Sequence, residues 1–228
     1  MIKFKNTHGK MKFSFFGKKK EEKKQDGNDM NYLRGDLPVP AAYEYYKGLA
    51  KRIICIDSEI DSELDSLRPV KQIIRWNLED AGKPAEEREP IYILIHSYGG
   101  DADICTAIID AIQASTTPVV GVNLGVAYSA AAYIYISCPK RYMMERSSLL
   151  FHQGSAEFAG TFDVIIASME QYQAKVKKLE GIIKEFTKFP EEEISESIQG
   201  EWYIYAEEAI EKGAADYIVK NIEDVFKK

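Results

Sequence analysis

Ser129 stands in the stretch GVAYSAAAYI, a hydroxyl among glycine, alanine and tyrosine. A serine becomes a nucleophile only when three other groups converge on it: a base within hydrogen-bond reach, a partner that orients the base, and N–H donors for the oxyanion that forms. The chain has three histidines. His8 lies in a lysine-rich leader, and His96 sits at the end of an apolar run beside SYGG, where a structural role suits it equally well. His152, directly after SLLF, is the better candidate for the base. Donors are available in HSYGG, where consecutive glycines leading into a helix leave backbone N–H groups open to an anion. Ala127, Ala130, Ala131 and Ala132 would let backbone and substrate come close to Ser129. A bland reading stays open at this point, because a serine in a run of small residues usually hydrogen-bonds a carbonyl of the preceding turn.

Such groups cooperate only if one sheet edge collects them. RIICI (52–56) reads as a short buried strand, followed by a helix through LDSLRPVKQIIRWNLED with Leu67, Ile74 and Leu78 near helical spacing. After the polar loop AGKPAEEREP comes IYILIHS (91–97), a β-branched run that suits a parallel strand buried on both faces. Helix DADICTAIIDAIQAS, strand PVVGVNL, a helix from about 128 to 136 and strand SLLFHQ follow. The fourfold alternation predicts an α/β domain with a mainly parallel sheet and right-handed crossovers. In such sheets the ligand crevice lies beyond the carboxyl ends of the strands. HSYGG, Ser129 and His152 all fall at such ends. From 161 to about 189 one long helix is expected, with Tyr172, Val176, Leu179, Ile183 and Phe186 stepping by four and three. At about 1.5 Å per residue it would be ~43 Å long, which suggests a projecting, subunit-joining element.

Composition narrows the partners. With 45% hydrophobic and 29% charged residues the chain is ordinary for a water-soluble protein, and no apolar run approaches the roughly 20 residues of a membrane span. The net charge of −6 is split: residues 1–24 carry nine lysines against Glu21 and Glu22, leaving 21 basic and 34 acidic side chains beyond. The tail is thus about +7 and the body about −13, which argues against nonspecific nucleic-acid binding by the folded part. Residues 1–38 are expected to be a basic, flexible leader and 39–228 the folded domain. Cys55, Cys105 and Cys138 lie in apolar surroundings with no disulfide or zinc spacing, and read as buried thiols in a reducing compartment. Together with the absence of a signal-peptide pattern this predicts a cytoplasmic protein, with no metal and no cofactor.

The segments IYILIHSYGGDADICTAIIDAIQ, GVAYSAAAYI and FHQ occur in the order and spacing of the ClpP family of serine peptidases, which the chain resembles from about Tyr43 to Val219. The resemblance implies a ClpP/crotonase-like superhelix of β-α units with a long handle helix at about 161–189. It assigns Ser129 as nucleophile, His152 as general base, and the backbone N–H groups of Gly100 and Ala130 as the oxyanion hole. Alignment on WYIYAEEA puts Glu201 where the family has its third member, an aspartate; the extra methylene changes the reach by about one bond, and ~1 Å matters to catalysis. Asp163 is the weaker substitute. Tyr98 replaces the family's proline before the glycines, and GSAEFAGT lacks the Pro-Leu-Gly-Gly-like substrate strand. The implied function is an endopeptidase that cleaves polypeptides inside a heptameric ring, single or stacked, with room for an ATP-driven AAA+ unfoldase as partner. A phage-type head-maturation protease is an alternative, towards which the leader and the loop EDAGKPAEEREP lean. So is a noncatalytic ring or scaffold subunit with a degenerate triad. The crotonases share the superhelical plan but need neither a serine at 129 nor a histidine at 152.

Overall fold

Apolar side chains run without interruption through Ile91–Ile95, and a strand that is apolar on both faces must be covered on both. In the computed structural model, which describes residues 47–61 and 67–227, this segment is β2 (Ile91–Ser97), central in the sheet, with Ile91, Ile93 and Ile95 fully buried. The expected leader over 1–38 lies outside the described residues. β1 (Ile53–Ile56) pairs parallel on one side of β2 and β3 (Val119–Tyr128) on the other. β4 (Lys140–Met144) continues beyond β3 and β7 (Tyr217–Val219) beyond β4, all parallel. β5 (Ser148–Phe151) is parallel to β3, and β6 (Trp202–Tyr205) closes antiparallel on β5. The α/β architecture with a mainly parallel sheet is therefore as the alternation predicts.

One detail of β3 positions the site. Its first half, Val120–Asn123, pairs with β4, whereas its last residues, Val126–Tyr128, pair with β5. The fork is held by Asn123, fully buried, whose side-chain amide donates to Ser148 O (2.9 Å) and accepts from Gly125 N (3.0 Å). A buried polar side chain satisfied in this way fixes a backbone divergence that apolar packing alone would leave loose. Its consequence is that the ends of β3 and β5 emerge side by side.

Helices α1 (Arg68–Glu79), α2 (Ala102–Gln113) and α3 (Ala130–Ile136) cover the sheet. All seven residues of α3 are buried, so its alanines serve close packing. In α1 the core takes the row Val70, Ile73 and Trp76, and Leu67, Ile74 and Leu78 face solvent. The expected stripe was one row off: the row with the indole carries the larger apolar area and wins the sheet. Cys55 corrects another expectation, since it is exposed on the edge strand β1, while Cys105 and Cys138 are buried. The long helix α4 spans Phe162–Phe186, shorter than expected because Thr187 leaves the helix and returns its hydroxyl to Ile183 O (2.6 Å). Of α4 only Ile183 is fully buried, and the first turns expose Phe162, Val164, Ile166 and Met169. α5 (Glu191–Ser197), α6 (Ala206–Glu211) and α7 (Ile222–Val225) complete the chain.

The start of β1 is anchored by charge. The guanidinium of Arg52 grips Asp80, fully buried, through Nη1 and Nη2 (2.9 Å for Nη2 to Oδ1), and Thr117 and Lys83 donate to the same carboxylate. The hydrogen bonds from Arg52 outweigh desolvation and hold the Asp80 carboxyl well below the usual range. Because the folded value is depressed, the contribution is present above the unfolded pKa of about 3.9 and is lost as pH falls through the folded value. Asp80→Asn removes the buried counter-charge of Arg52, leaving the more distant and half-exposed Glu79 carboxylate at 3.9 Å, and should cost about 3 kcal/mol of stability, read from the midpoint of denaturant unfolding.

Candidate active site

β3 must turn sharply to enter α3, and the turn is made at Ser129. Its backbone sits at φ 51° and ψ −127°, and among the described residues Arg52 is the one other non-glycine with positive φ. Strain of this kind persists only where the surroundings fix it. Here Ser129 N–H donates to Leu150 O on β5 (2.8 Å), and Ser129 O accepts from Ala132 N–H (2.9 Å). The first bond ties the turn to the strand that carries His152, and the side chains meet: His152 Nε2 lies 2.7 Å from Ser129 Oγ. The serine hydroxyl therefore faces an imidazole, in place of the carbonyl of the preceding turn that the bland reading expects.

His152 is clamped from behind. Its carbonyl accepts from the hydroxyl of Tyr133 on α3 (3.2 Å), and the carbonyl of Gln153 accepts from Tyr172 on α4 (2.8 Å). Gln153 N–H donates to Ile198 O (3.0 Å). Burial raises the Tyr133 phenol far above its ordinary value, so it stays a donor. Neither tyrosine stands out in the sequence as a site residue, because only the folded chain shows that their hydroxyls reach the strand end.

The glycines approach from β2. Gly99 (φ 101°) lies so close to the turn that a Cβ there would be 2.6 Å from Tyr128 O and 2.7 Å from Ser129 Cβ. Gly100 (φ 146°) runs against Ile60, whose N–H donates to Gly99 O (2.8 Å) and whose carbonyl accepts from Asp101 N–H (2.6 Å). Ser97 Oγ accepts from Gly99 N–H and donates to Ser58 O, which fixes the loop further. Ala130 is the first residue of α3, so its N–H has no intrahelical acceptor. Gly100, Ser129, Ala130 and His152 line one cleft of about 430 Å³, which α4 closes with Tyr172 and Leu179. Lys175 of α4 pairs with Asp103 (2.7 Å) beside it. The cleft also touches Cys105, whose thiol donates to Ala130 O and is pushed up to about 12 by burial. At neutral pH it is a thiol, not a competing thiolate.

The residue expected as third member has a different partner. Glu201 directly precedes β6, exposed, and its Oε2 accepts from Tyr203 Oη (2.9 Å). No hydrogen bond joins Glu201 to His152 among the described residues. Asp163 sits exposed in the first turn of α4 and makes no bond to His152 either. The ring of His96 packs against Gly125 and does not bond Ser129, and His8 lies outside the described residues. Tyr98 is exposed, edge-to-face with Tyr128 at 5.6 Å between centroids. Residues 152–160 form no strand. No group of acidic, histidine and cysteine side chains suited to a metal ion occurs among the described residues.

Comparison with known proteins bears on the same stretch. The Clp protease family profile matches residues 40–222. The ATP-dependent Clp protease proteolytic subunit 2 of Treponema denticola is 31% identical over 94% of this chain and 100% of its own length. Proteolytic subunit 1 of Streptomyces avermitilis is 28% identical, covering 84% of this chain and 87% of its own. Proteolytic subunit 2 of Thermobifida fusca is likewise 28% identical, with 85% and 94% covered.

Proposed function

This chain belongs to the Clp protease family, and from that premise we propose that it is a serine-type endopeptidase that cleaves polypeptides inside an oligomeric ring chamber. The observation that carries the reading is the 2.7 Å contact between Ser129 Oγ and His152 Nε2 on a strained strand-to-helix turn. Ser129 Oγ attacks the scissile carbonyl carbon while its proton passes to His152 Nε2. The oxygen of that carbonyl becomes an anion facing the N–H groups of Gly100 and Ala130. When the C–N bond breaks, His152 returns the proton to the leaving amine. Water then repeats the sequence on the acyl-serine, with His152 taking its proton, so that one peptide bond and one water become a carboxylate and an amine. Glu201 is assigned the role of orienting His152 through Nδ1.

The partners follow from the same family. Relatives are named as proteolytic subunits of an ATP-dependent protease, which supports an ATP-driven unfoldase as the supplier of unfolded chain. Self-association is supported by α4, which exposes Phe162, Val164, Ile166 and Met169 on a helix of about 37 Å, and the family resemblance makes the assembly a ring of seven. A cytoplasmic setting fits the buried thiols of Cys105 and Cys138, and no helix among the described residues is long and apolar enough to cross a membrane. The direct test is a fluorophosphonate probe, which reacts with activated serines. The wild-type chain should be labelled stoichiometrically and Ser129→Ala not at all; an assembled but unlabelled wild type sinks the peptidase reading in favour of a noncatalytic ring subunit.

A further inference from the structure

The carboxylate that register brings beside His152 is held by another residue. Antiparallel pairing of β5 with β6 matches Leu150 with Tyr203 and Phe151 with Trp202. Phe151 with Trp202 is the last pair of the ladder, so His152, which follows β5, and Glu201, which precedes β6, leave the two strands at the same end. Directly opposed residues of a ladder project to the same face, so Tyr203 shares the face of Leu150, two residues before His152. On that face Tyr203 Oη donates to Glu201 Oε2 at 2.9 Å, while the imidazole engages Ser129 through Nε2. Nδ1 of His152 has no hydrogen-bond partner among the described residues. Tyr203 is in turn placed by its neighbours. Its ring meets Tyr128 edge-to-face at 5.6 Å, and the Tyr128 hydroxyl is fixed by Ser148 Oγ (2.8 Å). Tyr128 is the residue before Ser129, so the row that seats Tyr203 is continuous with the turn that seats the nucleophile.

We propose that Tyr203 is a positioning residue that latches Glu201, keeping its carboxylate on the phenol and off the imidazole of His152. The inference rests on reading Ser129, His152 and Glu201 as the reacting set. A carboxylate that accepts from a phenol must exchange that bond for one from Nδ1 before it can orient the base. Only molecules that have made the exchange carry a complete set. The adjacent carboxylate raises the Tyr203 phenol above its ordinary value, so the latch keeps its proton at neutral pH. Both groups are exposed, so water competes for the bond and the latch is a bias on a population rather than a lock.

Tyr203→Phe removes one oxygen and keeps the ring against Tyr128. In the intact assembled chain it should raise kcat for a fluorogenic peptide by roughly three- to tenfold, the span of an ordinary net hydrogen bond, because exposure to water removes the extra strength a charged acceptor would give. KM should stay unchanged, and the rate of fluorophosphonate labelling should rise in parallel. In a Glu201→Gln background the same change should give no gain, because there is no carboxylate to release. An unchanged or lower kcat in Tyr203→Phe overturns the latch, and so does an equal gain in the Glu201→Gln background, which would mark Tyr203 as acting on the turn directly. These failures leave Ser129 labelled and the peptidase reading standing. Absence of labelling in every variant overturns that reading and the latch with it.

Discussion

Alanine at Ser129 or at His152 is expected to lower peptide cleavage by about four to six orders of magnitude, and the two together by no more than either alone. The hydroxyl is a poor nucleophile until its proton has somewhere to go, and the one acceptor in contact is His152 Nε2, 2.7 Å away. Removing either partner removes the same step. What survives, roughly 10³–10⁴ over water in comparable triads, comes from the N–H groups and from binding. Ser129→Ala is a clean substitution because both residues bear a Cβ at φ 51°, so the turn is asked for nothing new. His152→Ala leaves the backbone bonds of the strand end to Tyr133 and Ile198 in place through the carbonyl of residue 152 and the N–H of Gln153. Cleavage by the single and double variants, measured on the same assembled species, decides the matter. Losses that multiply would mean that the two side chains act in separate steps.

How much of this arrangement the sequence carries depends on whether a feature is local. The continuous apolar run of β2 and the helix pattern after Gly100 announce themselves within a dozen residues, as does the small-residue turn at Ser129. The first two appear where the pattern puts them, whereas the strand expected to end at Leu124 runs on to Tyr128 and the helix expected from about 128 begins at Ala130. β4 was not legible, since KRYMM begins with two cations and is short. Its pairing on β3 is enforced by the fork at Asn123, a tertiary feature. The row of α1 that faces the sheet was misread because two neighbouring rows are apolar, and only the placement of Trp76 decides between them. Cys55 reads as core from its isoleucine neighbours, yet alternate residues of an edge strand leave the core. The partnership of Tyr203 with Glu201 is a spacing of two, meaningful only once 202–205 is a strand and β5 lies beside it. Ser129 and His152, by contrast, are 23 residues apart, and their meeting was inferable because both close strands that end at one sheet edge.

The second large effect is expected at a residue with no side chain. Gly99→Ala should lower kcat by roughly 10²–10³, on the grounds that ~1 Å of misplacement far from the reacting bond already costs about a hundredfold. The added methyl would stand 2.6 Å from Tyr128 O, 2.7 Å from Ser129 Cβ and 3.0 Å from Ala130 N. Two of these atoms are backbone, and the third is fixed to backbone at a strained turn, so none can give way by a rotamer change. The turn itself must move, and it carries both the proposed nucleophile and one of the two proposed oxyanion donors. The cost in stability is a separate matter: alanine at φ 101° is strained wherever it sits, by about 1–3 kcal/mol. Gly82 separates the two effects. It has φ 83° and nothing within 4 Å of its would-be Cβ, so Gly82→Ala pays the backbone strain without touching the site. Gly82→Ala should lose the strain alone in a denaturant titration and Gly99→Ala more, because the close contacts add to it, and only Gly99→Ala should lose turnover and fluorophosphonate labelling. If the two fall together in activity, the loss belongs to the fold, and the close approach of β2 to the serine turn has no catalytic weight.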